Sequence, residues 1–185
     1  PSSYGYYPAF TVYPGSVTVR EGTFRAVLED VVRAWMKHGV KKFYFLNTGI
    51  STVPALEKLQ TKMRSEHILV EFTDLRRDGQ SAVRALERQA RGTHADEIET
   101  SMMLELAPQT VRMNLAVVEL GEDKGPGGIT RDPKAVSGVY SKTGAWGDPT
   151  LATKEKGRAI VEALVSDTAL GIDRLASQMY GRGII

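Results

Sequence analysis

The chain has 185 residues, of which 42% are hydrophobic and 25% charged, and its formal net charge is +2. These values are typical of one soluble globular domain over residues 1–185 and exclude a strongly basic nucleic-acid-binding protein. The absence of cysteine excludes disulfides, thiolate metal ligands and cysteine nucleophiles, and it favours a cytoplasmic protein. No apolar run approaches the roughly 18 residues of a membrane-spanning helix, so we expect no membrane segment.

The first ten residues are rich in tyrosine and proline, which predicts a loop. A natural domain rarely opens on such a loop, so we expect that an upstream segment precedes Pro1. Residues 16–19 then predict a short strand. Residues 21–38 place apolar side chains three and four positions apart, which predicts an amphipathic helix that ends before Gly39.

The following segments alternate between strand and helix patterns. We predict strands at 42–46 and 67–72, helices at 54–64, 81–90 and within 93–107, one or two strands at 111–119, a glycine-rich loop at 121–149, and a last helix from 149 to about 180. This order predicts an α/β fold with a mostly parallel sheet and helices on both faces. Ligands bind such sheets at the carboxyl ends of strands, which directs attention to residues 47–52 and to His94.

Three carboxylates follow His94 within five residues, at Asp96, Glu97 and Glu99. They have a structural interpretation, because acidic side chains stabilise the N-terminus of a helix. They also have a functional one, in which a carboxylate binds Zn²⁺ or Mn²⁺ while His94 transfers a proton. Both interpretations remain open on the residues alone.

Helix geometry decides which of these carboxylates could face a site. Each residue turns the helix by about 100°, so Glu97 and Glu99 point nearly opposite ways. Ile98, Met102 and Leu106 are four apart and mark the expected buried face. Glu99 borders that face, so we predict that Glu99 rather than Glu97 serves a metal.

Other candidate positions lie in loops. Asn47 and Ser51 follow a predicted strand. Ser51 is a conceivable but poorly supported nucleophile, since Gly49 precedes it but the second glycine of a nucleophile elbow does not follow it. Trp146 in the long loop offers a large ring and an N–H donor that could cover a ring-shaped ligand, or it could belong to a subunit contact.

Aromatic side chains near the start of the chain predict self-association, because a monomer would have to hide their apolar area. The alternative is that they pack on the core of their own domain. The residues concerned are Tyr4, Tyr6, Tyr7, Phe10 and Tyr13.

Four stretches resemble the creatininase family of metal-dependent amidohydrolases: residues 4–6 with 13–17, residues 24–47, residues 94–101 and residues 147–157. The third closely resembles the family's histidine-alanine and glutamate-threonine-serine motif. The resemblance implies a three-layer, Rossmann-like α/β/α fold, a divalent metal (Zn or Mn) and hydrolysis of a small polar cyclic substrate. It also implies a homo-oligomer, commonly a hexamer.

The resemblance assigns roles residue by residue. By motif, Glu99 would be a metal ligand and His94 a catalytic or substrate-contacting residue. We expect substrate contacts from four further positions: Tyr6, Asn47, Ser51 and Trp146.

The sequence departs from the family pattern at positions that matter for a metal. The family's glutamate-histidine-aspartate ligand motif lies upstream of where this chain begins. Its strand-end histidine aligns with Gly49, and the histidine of its aromatic loop aligns with Phe10. Two hypotheses follow: a divergent hydrolase acting on a cyclic amide or an oxidised inositol-type ring, or a non-catalytic or half-catalytic subunit whose site a companion chain completes.

Overall fold

The computed structural model describes residues 5–178 of the chain. They divide into two compact units, the first made of residues 5–6, 18–78 and 165–178 and the second of residues 7–17 and 79–164. A single domain over the whole chain stays a prediction. Within the described residues, no helix is both long enough and apolar enough to cross a membrane.

The first unit follows a helix–strand–helix–strand order. It contains α1 (Glu21–Met36), β1 (Lys42–Phe45), α2 (Val53–Ser65) and β2 (Leu69–Phe72). The two strands pair in parallel, so they need a crossover connection, and α2 provides it. Proline suits the first turn of α2, since no partner for its missing N–H is required there. These elements confirm the α/β pattern predicted from the sequence.

The core of the first unit lies between its two helices and its two strands. Its buried members are Val32, Leu59, Met63, Ile68 and Val70. On α1, by contrast, the apolar stripe is only partly covered: Val27, Val31 and Trp35 are 47–56% exposed. The periodicity therefore predicted the helix correctly, and the described residues leave part of its apolar face uncovered.

The predicted strand at 67–72 begins two residues late. His67 has a φ of 58°, in the left-handed region. Its neighbour Ile68 donates its N–H to the carbonyl of Met63 at 3.0 Å, and His67 donates to Arg64 at 3.1 Å. This is a Schellman ending of α2, a position that glycine usually occupies. The histidine thus closes a helix, and β2 starts at Leu69.

Two other predicted strand segments are wrong. Residues 16–20 have no strand structure, and the N–H of Ser16 closes a turn on the carbonyl of Tyr13 at 3.2 Å. Residues 111–119 contain a short 3-10 turn at Met113–Leu115 and a single bridge from Glu119 to Gly147. Apolar, β-branched composition with only isolated backbone pairing did not produce strands here.

The second unit contains α3 (Gln80–Leu86), α4 (Glu97–Leu106) and a parallel pair of two-residue strands, β3 (Ile129–Thr130) and β4 (Val139–Tyr140). The last helix, α5 (Lys154–Ser177), is divided between the two units. Its predicted start at 149 is wrong, because Pro149–Leu151 form a 3-10 turn and α5 begins at Lys154. Its predicted end near residue 180 lies outside the described residues. The predicted loop at 121–149 is confirmed, apart from the four residues of β3 and β4.

The buried side of α4 matches the expected one only at Ile98. Glu97, Ile98 and Ser101 are buried, whereas Leu106 is exposed. The cause is the close approach of α5: a Cβ placed on Gly157 would lie 1.9 Å from the carbonyl oxygen of Ser101. Small residues at this crossing bring the helices together along a polar face.

Candidate functional site

His94 is held by an antiparallel bridge to Trp146. The N–H of Trp146 donates to the carbonyl of His94 at 2.7 Å, and the N–H groups of Thr93 and His94 both donate to the carbonyl of Trp146, at 3.0 and 3.2 Å. Gly92 permits this approach, because a Cβ there would lie 2.4 Å from the Cα of Gly147. The bridge fixes the backbone that carries the imidazole.

The imidazole of His94 lies between a ring and a carboxylate. Phe10 stacks on it, with ring centroids 4.2 Å apart and planes at 29°. Its Nδ1 lies 3.4 Å from Oε2 of Glu99. Phe10, the position that aligns with a histidine of the family, therefore supports the His94 ring through packing. The structure brings these three residues together, as the sequence predicted for His94 and Glu99.

The three carboxylates near His94 occupy different environments. Asp96 is the N-cap of α4 and accepts the N–H groups of Ile98 and Glu99, each at 2.9 Å. Burial raises the pKa of Asp96, against the effect of those hydrogen bonds. Asp96 is thus the helix cap of the structural interpretation.

Glu97 is fully buried and ion-paired. Its carboxylate contacts the ammonium of Lys156 and accepts the backbone N–H groups of Arg88 and Gln89 at 2.8 and 2.7 Å. Burial pushes the pKa of Glu97 up, but the Lys156 contact and the two N–H donors outweigh it, so the pKa lies below its usual value. All of the interactions of this carboxylate are structural.

Glu99 remains accessible, with a side chain 44% exposed. Its Oε2 accepts the N–H of Ala95 at 2.7 Å, and Ala95 has a left-handed φ of 47°. Non-glycine residues in that region are strained, and such strain is common at functional sites. None of the described hydrogen bonds uses the other oxygen, Oε1. Glu99 therefore stabilises the turn after His94 and still offers one carboxylate oxygen.

A cavity of about 500 Å³ lies beside His94, entirely within the second unit. Aromatic rings, small side chains and four hydroxyl-bearing residues form its wall. The lining residues are Tyr7, Phe10, Tyr13, Ser16, Val17, His94, Ala95, Thr143, Gly144 and Ala145. The long loop thus borders a cavity through residues 143–145.

Trp146 adjoins this wall but faces a different partner. Its indole N–H donates to the carbonyl of Gly121 at 3.0 Å, so the donor that suggested a ligand contact is already engaged. The described lining residues do not include Trp146. Its observed role is to bridge the backbone of His94, and a substrate contact remains a prediction.

Sequence reasoning missed Glu119, which orders the rim of the cavity. Its carboxylate accepts the hydroxyl of Thr143 at 2.7 Å, the N–H of Lys142 at 3.1 Å and the hydroxyl of Ser141. Burial acts to raise the pKa of Glu119, but these hydrogen bonds outweigh it and lower the pKa. An isolated glutamate 22 residues from Ser141 gives no sequence signal of this contact.

The other predicted substrate contacts lie in the first unit. The side-chain amide of Asn47 forms hydrogen bonds within the protein. Its Nδ2 donates to the carbonyls of Gly49 and Thr73 at 2.9 and 3.2 Å, and its Oδ1 accepts the hydroxyl of Thr52 at 2.5 Å. Ser51 and Tyr6 are both half-buried. The roles of Tyr6, Asn47 and Ser51 toward a substrate stay predictions.

Comparisons with known proteins identify the family. The family profile Creatininase (creatinine amidohydrolase) matches residues 1–170. The chain belongs to the creatininase family. Comparison with curated proteins gave no significant match.

Solved creatininase structures share its fold. They include a creatinine amidohydrolase (TM-score 0.72, 20% identity), a mutant creatininase of Zn-Zn type (0.71, 21%) and a creatininase described as the Mn form (0.71, 19%). Each alignment covers 95% of this chain and 74% of the other. At this identity the likeness shows the fold, and it confirms the predicted creatininase-like α/β architecture.

A metal is the cofactor that the creatininase fold implies, so the donor set matters. Residues 5–178 contain no group of three or more histidine, aspartate or glutamate side chains placed to hold a metal ion. Catalytic zinc usually has three protein ligands. His94 and Glu99 provide two neighbouring donors at most, and the described residues do not by themselves fit the metal.

Proposed function

We propose that this creatininase-family chain takes part in hydrolysis of a small polar cyclic substrate at the His94 cavity. The observation that carries the proposal is the placement of His94: Phe10 stacks on its ring, Glu99 faces its Nδ1, and its side chain lines a cavity of about 500 Å³. That volume falls within the range of small-molecule pockets.

His94 is the proton-transfer group of the proposal. Imidazole is the side chain best suited to exchange protons near neutral pH. The carboxylate of Glu99 next to Nδ1 favours a proton on that nitrogen, which leaves Nε2 to accept or return a proton at the substrate. The same Glu99 oxygen, Oε2, orients the ring and stabilises the turn by accepting the N–H of Ala95.

The residues of the cavity wall are suited to an uncharged cyclic substrate. None of the described lining residues is an aspartate, glutamate, lysine or arginine. Tyr7 and Phe10 supply aromatic surface, and Ser16 and Thr143 supply hydroxyl groups. A cyclic amide such as creatinine and an oxidised inositol-type ring are both of this class, whereas the wall offers no pair for a strongly charged ligand.

A divalent metal, Zn or Mn, remains part of the proposal only through Glu99. Its Oε1 could supply one ligand, and the other ligands would come from outside residues 5–178 or from another chain. The shortage of ligands in the described residues also favours the second candidate function, a half-catalytic subunit whose metal site a companion polypeptide completes.

The first experiment measures turnover of a panel of cyclic amides, including creatinine, and of oxidised inositol-type rings, with added Zn²⁺ or Mn²⁺. We expect activity in the parent, a loss of at least about 100-fold in His94→Gln, and no loss in the matched control His38→Gln. Equal activity in parent and His94→Gln would refute the role of His94. Activity that appears only when a second polypeptide is added would identify the half-catalytic subunit.

We also propose that the chain forms a homo-oligomer, as a hexamer or a smaller assembly. The support differs from the expected one: Phe10 packs on His94 within one unit, and Tyr4 lies outside the described residues. An exposed apolar face lies instead on α1, at Val27, Val31 and Trp35. Sedimentation should show an assembly that Val31→Glu dissociates, and a monomeric parent at micromolar concentration would contradict the proposal.

A further inference from the structure

We infer that Gln89 is a positioning residue for His94, acting through its side-chain amide on both backbone segments of the His94–Trp146 bridge. The inference rests on the proposed function in one respect, namely that His94 is the group that needs positioning. Gln89 itself is not among the described residues that line the cavity beside His94.

The amide of Gln89 makes every hydrogen bond open to it. Its Nε2 donates to Oδ2 of Asp96 at 2.7 Å and to Oε1 of Glu87 at 2.8 Å. Its Oε1 accepts the N–H of Glu97 at 3.2 Å and the N–H of Asp148 at 3.0 Å. A primary amide has two donor hydrogens and two acceptor lone pairs, so this group is saturated. Gln89 is 9% exposed, and a buried, saturated amide has one well-defined orientation.

Three of these four partners, Asp96, Glu97 and Asp148, lie on the two segments that the bridge joins. Asp96 follows His94 by two residues, and Asp148 follows Trp146 by two residues. One amide therefore connects the segment that carries the imidazole to the segment that pairs with it. Side chains with a single partner cannot make such a connection.

Steric evidence shows how tightly the segments enclose this amide. A Cβ placed on Gly147 would lie 2.6 Å from Oε1 of Gln89 and 2.3 Å from the Cβ of Asp96. The φ of Gly147 is 145°, which also disfavours other residues. The bridge segments have no room to slide past the amide while it keeps its hydrogen bonds.

The backbone of Gln89 is itself anchored. Its N–H donates to the buried carboxylate of Glu97 at 2.7 Å, and that carboxylate is paired with Lys156 of α5. The amide consequently transmits the position of the helix pair α4–α5 to the turn at His94. Loss of the amide should loosen this turn without removing the anchor below it.

The experiment compares Gln89→Met with Gln60→Met by amide hydrogen exchange. Methionine keeps approximate length and removes all four hydrogen bonds. Gln60 is the matched control, since its Nε2 also joins two elements, donating to Val70 at 2.8 Å and to Glu71 at 3.2 Å. We expect Gln89→Met to speed exchange at the N–H groups of His94 and Trp146 about tenfold or more. Exchange in β2 should stay unchanged.

Activity gives the second readout. If His94 must be aligned, Gln89→Met should lower kcat by about tenfold to a hundredfold and leave KM within about twofold, because misalignment affects the reacting geometry more than binding. Gln60→Met should keep the parent kcat. Should Gln89→Met fail to fold, Gln89→Asn keeps the amide but is one methylene too short to reach both segments, and the same exchange pattern is expected.

Two results would overturn the inference: exchange at His94 and Trp146 that matches the parent in a folded variant, or exchange that rises equally throughout the protein. The exchange result does not depend on turnover. A parent inactive on every substrate would therefore count against the proposed function alone. If the parent is active and Gln89→Met exchanges as the parent does, the result would count against the role of Gln89 alone.

Discussion

Replacement of Gly157 by alanine tests the helix contact on which the site rests. Gly157 lies in α5, where its backbone is ordinary helix, so conformation does not demand glycine. Packing, in contrast, does require glycine at this position. An added Cβ would lie 1.9 Å from the carbonyl oxygen of Ser101, 2.5 Å from its carbonyl carbon and 3.1 Å from the N of Met102. All three are backbone atoms of α4, which cannot rotate away as a side chain can.

The expected magnitude comes from two opposing effects. Alanine in a helix interior is favoured over glycine by about 1 kcal/mol. Reaching an ordinary contact of 3.4 Å, however, requires α4 and α5 to separate by about 1.5 Å. Overpacking of this kind costs about 1–3 kcal/mol or more, and separation also pulls Lys156 from the buried Glu97. We expect a net loss of about 2 kcal/mol, or about 4–8 °C in Tm for a chain of this size.

Gly22→Ala provides the matched control for Gly157→Ala. Gly22 also lies in a helix, α1, and a Cβ there meets nothing within 4 Å. Denaturant unfolding should show Gly22→Ala as stable as the parent or up to about 1 kcal/mol more stable. If Gly157→Ala gave the same small gain, the close packing of α4 on α5 would be refuted.

Three further outcomes are expected. Glu97→Gln should cost about 2–4 kcal/mol in unfolding free energy, because Lys156 loses its buried partner; an unchanged value would contradict the ion pair. The pKa of Glu97 is lower in the folded state than its usual value. The contribution of Glu97 to stability is therefore present above the unfolded-state pKa and is lost as the pH falls through the folded-state pKa. Between pH 7 and pH 3 the parent should lose more stability than Glu97→Gln, and equal losses would disprove this linkage. Glu99→Gln should reduce retained Zn or Mn, measured by mass spectrometry, whereas Glu97→Gln should not; the reverse order would exclude Glu99 as a ligand.

Local sequence patterns determined most of the secondary structure. The 3–4 spacing of apolar residues in α1 and the proline at the start of α2 act over a single turn, so both helices could be predicted within two residues. The N-terminus of α4 was equally local, because Asp96 caps it through the two nearest N–H groups.

Strand formation was less predictable, because a strand needs a partner backbone. The residues at 16–19 and 111–119 have suitable composition, but their described backbone pairs with a distant segment only at Val19 and Glu119. His67 belongs to the ending of α2 and not to β2. Likewise, the sequence suggested that Trp146 lies near a ligand, but only the folded chain shows its N–H engaged by Gly121.

The acidic residues after His94 show most clearly what local sequence determines and what only tertiary contacts determine. Sequence spacing by itself determined that Glu97 and Glu99 diverge, because 100° per residue is a property of any α-helix. It could not determine which one is buried, and of the expected apolar face Ile98 is buried but Leu106 is exposed. Burial of a carboxylate requires compensating donors. Those of Glu97 are Lys156, 59 residues away, and the N–H groups of Arg88 and Gln89. Only the tertiary structure brings them together, and it thereby leaves Glu99 exposed beside His94.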